Sequence, residues 1–139
     1  MGAFMIRPAA LSLALLMSGA TTALAQSDFT GTWEVAVCEF RGAANESIRA
    51  NYVLEMTKGQ TVFVEKNGKR TLYPMRLDST TSPPSFTWAT GARVGYVGSY
   101  RLHKNEMVII FAPGERVADR PVDFAGQVTW KYVLRRTNR

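Results

Sequence analysis

The sequence predicts an all-β domain, a single eight-stranded antiparallel up-and-down barrel, and three observations carry that prediction. The stretch Asp28-Phe29-Thr30-Gly31-Thr32-Trp33-Glu34-Val35 opens an alternating strand with a glycine and a tryptophan two apart. Glycine lets the chain bend tightly there, and an indole is large enough to plug a barrel floor while its N–H reaches a polar partner. Counting this strand, eight short period-two runs follow one another, with turn residues between them and no amphipathic helical stretch. Cys38 is the one cysteine of the chain, so no disulfide framework exists and the fold must be held by strand pairing and a filled core.

Residues 1–25 read as a cleaved export signal. Arg7 is their one charge, an apolar run spans Ala9 to Met17, and Ala23-Leu24-Ala25 has the small-x-small form that a signal peptidase reads. The run is too short to cross a bilayer and no second one follows, so the chain is expected not to span a membrane. The mature domain is expected to be 26–139, starting near Gln26, periplasmic or secreted after cleavage near Ala25. Its 114 residues suffice for one core and are too few for two. Without Arg7 it carries 16 basic against 11 acidic groups. Lys66, Lys69 and Arg70 cluster on one hairpin, and Lys131, Arg135, Arg136 and Arg139 gather near the end. Such a surface attracts anionic partners, but lysines also protect sheet edges and keep an exported domain soluble. Export argues against nucleic acid as the partner.

Taken in order, the first strand alternates so that Trp33, Val35 and Val37 share the inward face, with Glu34, Ala36 and Cys38 opposite. Arg41 to Arg49 is polar and reads as a loop holding at most one turn; its Asn45-Glu46-Ser47 matches a glycosylation acceptor but is read as an ordinary polar loop. Tyr52 to Met56 and Gln60 to Lys66 form a hairpin about Lys58-Gly59. Asn67-Gly68 is the clearest turn signal, since both residues tolerate the positive φ of a type I′ turn. Pro74, inside the next strand, lacks a ladder donor and marks an edge or a bulge. After the Asp78 to Pro84 loop come Phe86 to Ala89, a Gly91 turn, and Val94 to His103 with Tyr96, Tyr100 and Leu102 on one face. Gly95 and Gly98 in that strand call for strong curvature or close backbone approach. Glu106 to Ala112 contains Met107-Val108-Ile109-Ile110-Phe111, apolar on both faces and therefore placed centrally. A long irregular segment, Pro113 to Gly126, leads to the last strand, Gln127 to Arg136, with Val128, Trp130, Tyr132 and Leu134 together.

Little of this composition supports catalysis. His103 is the single histidine and stands beside a Lys104-Asn105 turn with no nearby cysteine, serine-glycine elbow or paired acid, so it reads as a solvated loop histidine rather than a triad base. One histidine and one cysteine cannot build a nitrogen and sulfur metal site, and the acids Glu115, Asp119 and Asp123 read as a solvated loop interspersed with arginine. No glycine-rich phosphate loop is present. The protein is therefore expected not to be an enzyme and to use no cofactor and no metal.

Several motifs recur together: Gly31-Thr32-Trp33-Glu34-Val35, the Leu77-Asp78 step followed by prolines, Gly98-Ser99-Tyr100-Arg101-Leu102, Phe111-Ala112-Pro113, Arg120-Pro121-Val122-Asp123-Phe124 and Val133-Leu134-Arg135-Arg136. In this order they resemble a lipocalin-like domain family of planctomycetes and other bacteria, over nearly the whole mature chain. The chain departs from that family where His103-Lys104-Asn105 replaces an Asp-Gly-Asp hairpin and where Thr87 stands for an aspartate. The family has no established activity, so the resemblance implies a fold and an address more than a reaction. It also implies an arginine laid across the floor tryptophan, Trp33. Strand parity selects Arg136 for this barrel closure over Arg135, because Arg136 shares the side of Trp130, Tyr132 and Leu134.

Function is expected from the aromatic inventory. Tyr73, Trp88, Tyr96, Tyr100, Trp130 and Tyr132 all fall in predicted strands. Together with Trp33 they either fill the barrel or leave a shallow apolar pocket with tyrosine hydroxyls as polar anchors. The first expectation is thus a binding module for a small hydrophobic or amphipathic ligand held by those six residues. The alternative is a protein-interaction or protease-inhibitor-like barrel acting on a cell-envelope protein.

Overall fold

A computed structural model describes residues 29–137. The expected export signal, residues 1–25, and the expected mature start near Gln26 lie outside these described residues. The elements are β1 (Gly31–Phe40), β2 (Ala43–Ala44), helix α1 (Glu46–Asn51), β3 (Tyr52–Thr57), β4 (Gln60–Glu65), β5 (Arg70–Asp78), β6 (Ser85–Thr90), β7 (Arg93–His103), β8 (Glu106–Pro113), one 3₁₀ turn (Val117–Asp119) and β9 (Trp130–Arg136). β1 pairs antiparallel with β3, each strand from β3 to β8 with the next, and β9 with β1, so β1 and β3 to β9 close an eight-stranded up-and-down barrel. The two residues of β2 fold back on the end of β1 beyond the reach of β3. The ends of β1 at Gly31 and β9 at Arg136 mark what is called here the lower end; Phe40, Tyr52 and Trp130 mark the upper.

β1 departs from simple alternation. Val35 pairs with Leu134 and Val37 with Val133, so Ala36 is an extra residue, a β-bulge. A bulge flips parity, and the inward set becomes Trp33, Val35 and Cys38, all buried, whereas Val37 is turned out and 38% exposed. The expectation that Val37 faces inward and Cys38 outward is corrected accordingly.

The hairpin at Asn67-Gly68 forms with a different turn. The Gly68 amide donates to the Glu65 carbonyl at 2.9 Å, the Glu65 amide to the Lys69 carbonyl, and only Gly68 has a positive φ, +92°. That is a three-residue loop ending in a glycine bulge rather than a type I′ turn. Pro74 sits inside the closed sheet, paired with Gln60 of β4, but β6 joins β5 only from Met75 onward. Its missing N–H therefore faces the one stretch of β5 that has no β6 neighbour.

Segment 114–129 lies as a strap against β6 and β7 and is tied to β9. Arg120 holds it: Nε donates to Ser99 Oγ at 3.1 Å and Nη2 to the Pro83 carbonyl at 2.9 Å. Ser99 Oγ in turn donates to the Pro121 carbonyl, Lys131 Nζ to the Phe124 carbonyl, and the Arg101 guanidinium lies 4.2 Å from the Phe124 ring centre. Val97 and Ser99 point outward and are nonetheless buried, Val97 against Gly114 and Ser99 against Arg120 and Pro121, and Ile110, the partner of Ser99 on β8, is buried beside them. The doubly apolar face of β8 reflects this cover.

Candidate functional site

The barrel centre is filled by rings. Phe111 packs edge-on against Trp88, Tyr132 and Tyr96 at centroid distances of 4.9, 5.1 and 5.7 Å, and stacks on Trp130 at 6.1 Å. Phe63 meets Trp88 and Tyr73, each at 5.4 Å, and Tyr52 at 5.9 Å. Trp88 Nε1 donates to Thr61 Oγ1 at 3.1 Å, and that fully buried hydroxyl donates onward to Met75 Sδ. Phe86 lies over Gly98, where a Cβ would come within 2.6 Å of the ring and 2.4 Å of the Ile110 carbonyl oxygen. The glycine that breaks the apolar rhythm of β7 is the hole into which this ring fits.

Room remains at the upper end. A cavity of about 170 Å³ opens there, walled by Tyr52, Phe63, Thr71, Tyr73 and Tyr132, with Ile48 above it. Helix α1 sets Ile48 in place: Asn45 caps it by accepting the Ile48 amide on Oδ1 at 3.1 Å and ties back to β1 through its own amide and the Cys38 carbonyl. The segment expected as a polar loop is thus a short capped helix, and Asn45 has a structural use in it.

Three phenols, Tyr52, Tyr73 and Tyr132, line this cavity, and Tyr96 lies near them, packed on Phe111. The Tyr132 phenol is pushed well above its ordinary value, first by burial and then by Cys38, Tyr96, Tyr52 and Tyr73. Tyr73 is raised by burial and then by Tyr96 and Tyr52. Cys38, which the bulge turns inward beside them, is raised to about 11 by burial and by the negative charges of Glu39 and Glu46. At neutral pH the cavity is therefore neutral, apolar in its walls and rich in hydroxyl donors. Among the described residues none of these four hydroxyls has a protein hydrogen-bond partner and no polar side-chain atom is buried without one, so all four reach accessible space. Such a site can donate hydrogen bonds to a guest; it holds no ionised nucleophile or base poised for proton transfer.

Of the six residues expected to bind ligand, Tyr73 and Tyr132 line this cavity and Tyr96 stands among the phenols. Trp88 lies beneath it as core, 2% exposed. Trp130 packs between Phe40, at 4.6 Å, and Phe111, and Tyr100 lies toward the opposite end against Phe29, at 4.8 Å. Tyr52, Phe63, Thr71 and Ile48 were not expected at the site. Parity would have found Tyr52, which shares its face with Leu54 and Met56; Phe63 was overshadowed by the Val62 and Val64 pair on the opposite face of β4. At the lower end Trp33 Nε1 donates to the Phe29 carbonyl at 3.1 Å, and the Arg136 guanidinium carbon lies 4.5 Å from the indole centre. His103 is exposed in the β7–β8 turn, and among the described residues no three His, Cys, Asp or Glu side chains gather as metal ligands. No known family model, curated protein or solved structure matches the chain.

Proposed function

We propose that this protein is an exported binding module that holds a small amphipathic molecule at the upper end of the barrel. The observation that carries the reading is the set of three phenol hydroxyls, of Tyr52, Tyr73 and Tyr132, free of protein partners among the described residues and lining a cavity of about 170 Å³. A dry cavity of about 150 Å³ accommodates one benzene ring, so the guest is a single ring and not a long chain. Its polar groups are neutral acceptors, because a buried carboxylate would meet no cation there. The export signal in the sequence and the lipocalin-like order of motifs, with Arg136 on Trp33, support placing the protein among secreted ligand-carrying barrels.

The test is a titration with 4-hydroxyacetophenone, a neutral single ring with a carbonyl acceptor, followed by NMR of the tyrosine ring protons. Saturable shifts at Tyr52, Tyr73 and Tyr132 are expected. Replacing Tyr73 by Phe should weaken the complex by about two- to tenfold, as removal of one net hydrogen bond does. Shifts that never saturate, or an affinity indifferent to Tyr73→Phe and Tyr132→Phe together, would reject the site.

A further inference from the structure

The lower end of the barrel carries a second cavity of about 320 Å³, chemically unlike the first. Its apolar wall is made by Phe29, Met75, Leu77 and Tyr100, of which Phe29, Met75 and Tyr100 are buried. Two cations stand on its rim, Lys58 from the β3–β4 turn and Arg76 from β5. Both are exposed, and neither takes part in any of the ion pairs or side-chain hydrogen bonds of the described residues, which bind Arg49, Arg70, Arg93 and Arg116 to acids instead. Asp78, two residues along from Arg76, accepts on Oδ1 from the amide and the hydroxyl of Thr80 and keeps its negative charge, which Tyr100 in the cavity wall feels, so Lys58 and Arg76 set two cations against one acid. The crevice leading deeper, between Met56, Phe86, Met107 and Ile109, has only about 10 Å³ of room.

We propose that this cavity is an anion site for a medium-chain carboxylate, with the carboxylate between Lys58 and Arg76 and the tail against Phe29, Met75, Leu77 and Tyr100. This goes beyond the upper site and does not rest on it. The physical argument is complementarity at both ends of one guest. An apolar wall alone selects any oily molecule, whereas two unpaired cations at its edge favour an anionic head and penalise a cationic one. A guanidinium can donate to both carboxylate oxygens at once and the more flexible ammonium supplies a second, mobile charge. The blocked crevice limits the tail, so long acyl chains gain nothing from their extra carbons.

The measurement is an NMR titration of protein labelled on the methionine methyls, with Met75 as reporter, using sodium octanoate, octanol and sodium acetate as probes at low ionic strength. Octanoate should shift Met75 saturably, octanol should bind several-fold more weakly, and acetate should leave the signal unmoved. Lys58→Gln and Arg76→Gln should each weaken octanoate by up to about fivefold, the range of an exposed ion pair, and the double variant by about tenfold. Both side chains are exposed, so melting temperatures should stay unchanged and the loss be one of binding. Tyr73→Phe at the other end should leave octanoate affinity as it is, which separates this site from the upper one. Octanol binding as tightly as octanoate, full octanoate affinity in the double variant, or no saturable shift at Met75 would each overturn the proposal.

Discussion

Arg136 lies on the face of Trp33, its guanidinium carbon 4.5 Å from the indole centre, and the same guanidinium donates to the Thr30 carbonyl at 2.8 Å. The two residues are register partners across the β1–β9 seam that closes the barrel. A guanidinium on an indole contributes about 0.5–2 kcal/mol, depending on desolvation, and its aliphatic stem adds contact. Arg136→Ala should therefore destabilise the fold by about 1–3 kcal/mol, while the exposed neighbour Arg135→Ala costs a few tenths. Denaturant melts of the two variants side by side provide the measurement, and equal losses would show that the stacking contributes nothing.

Thr61 is a polar residue in the apolar centre, accepting from Trp88 Nε1 and donating to Met75 Sδ. Thr61→Val keeps the shape and strands the indole N–H without a partner, which costs about 1–3 kcal/mol. Urea melts should register that loss, with a shifted Trp88 fluorescence; unchanged stability would mean that Trp88 finds another acceptor.

Two glycines should behave oppositely. At Gly98 an added Cβ would meet the Ile110 carbonyl and the Phe86 ring at 2.4 and 2.6 Å, whereas at Gly59 nothing lies within 4 Å. Gly98→Ala is expected to cost about 1–3 kcal/mol or more through overpacking, and Gly59→Ala to be neutral or slightly stabilising. Thermal unfolding of both distinguishes them.

The strap against β6 and β7 depends on Arg120, which bonds Ser99, Pro83 and, through Nη1, Val117. Arg120→Ala should cost about 1–3 kcal/mol and uncover Val97 and Ser99. Hydrogen exchange is the discriminating readout: faster exchange confined to 114–129 and the outer β7–β8 amides is expected, and uniform acceleration would instead indicate global loosening.

Alkaline pH should destabilise the protein. Cys38 is raised from an ordinary 9.0 to about 11 and Tyr132 is raised from 10.0, both chiefly by burial. The folded chain thus keeps protons that the unfolded chain releases, so stability is whole below pH 9 and falls as pH rises toward 11 and beyond. Denaturant midpoints should decline across that window in the parent. Cys38→Ala should flatten the lower part of the decline and Tyr132→Phe the upper part; a slope identical in all three proteins would contradict it.

How much of this was legible in the sequence follows from how far each decision reaches along the chain. Strand identity and order are local matters, set by period-two runs, by Lys58-Gly59, Asn67-Gly68, Gly91 and Lys104-Asn105 between them, and by a glycine and tryptophan at the start, so the eight-stranded barrel could be read directly. Parity likewise predicts which of Arg135 and Arg136 shares the side of Leu134. The inward turn of Cys38 could not be read, because the bulge at Ala36 arises from pairing with β9, nearly a hundred residues away. The burial of the outward-facing Ser99 belongs to the same class: its cover is a strap whose anchor, Arg120, contacts Ser99 and Pro83 only once the barrel exists. The candidate site shows the division most sharply. The sequence supplied tyrosines at inward positions, but only closure, which brings β3, β5 and β9 around one axis, gathered Tyr52, Tyr73 and Tyr132 about one cavity, with Phe63 in its wall and Phe111 packed on Tyr132.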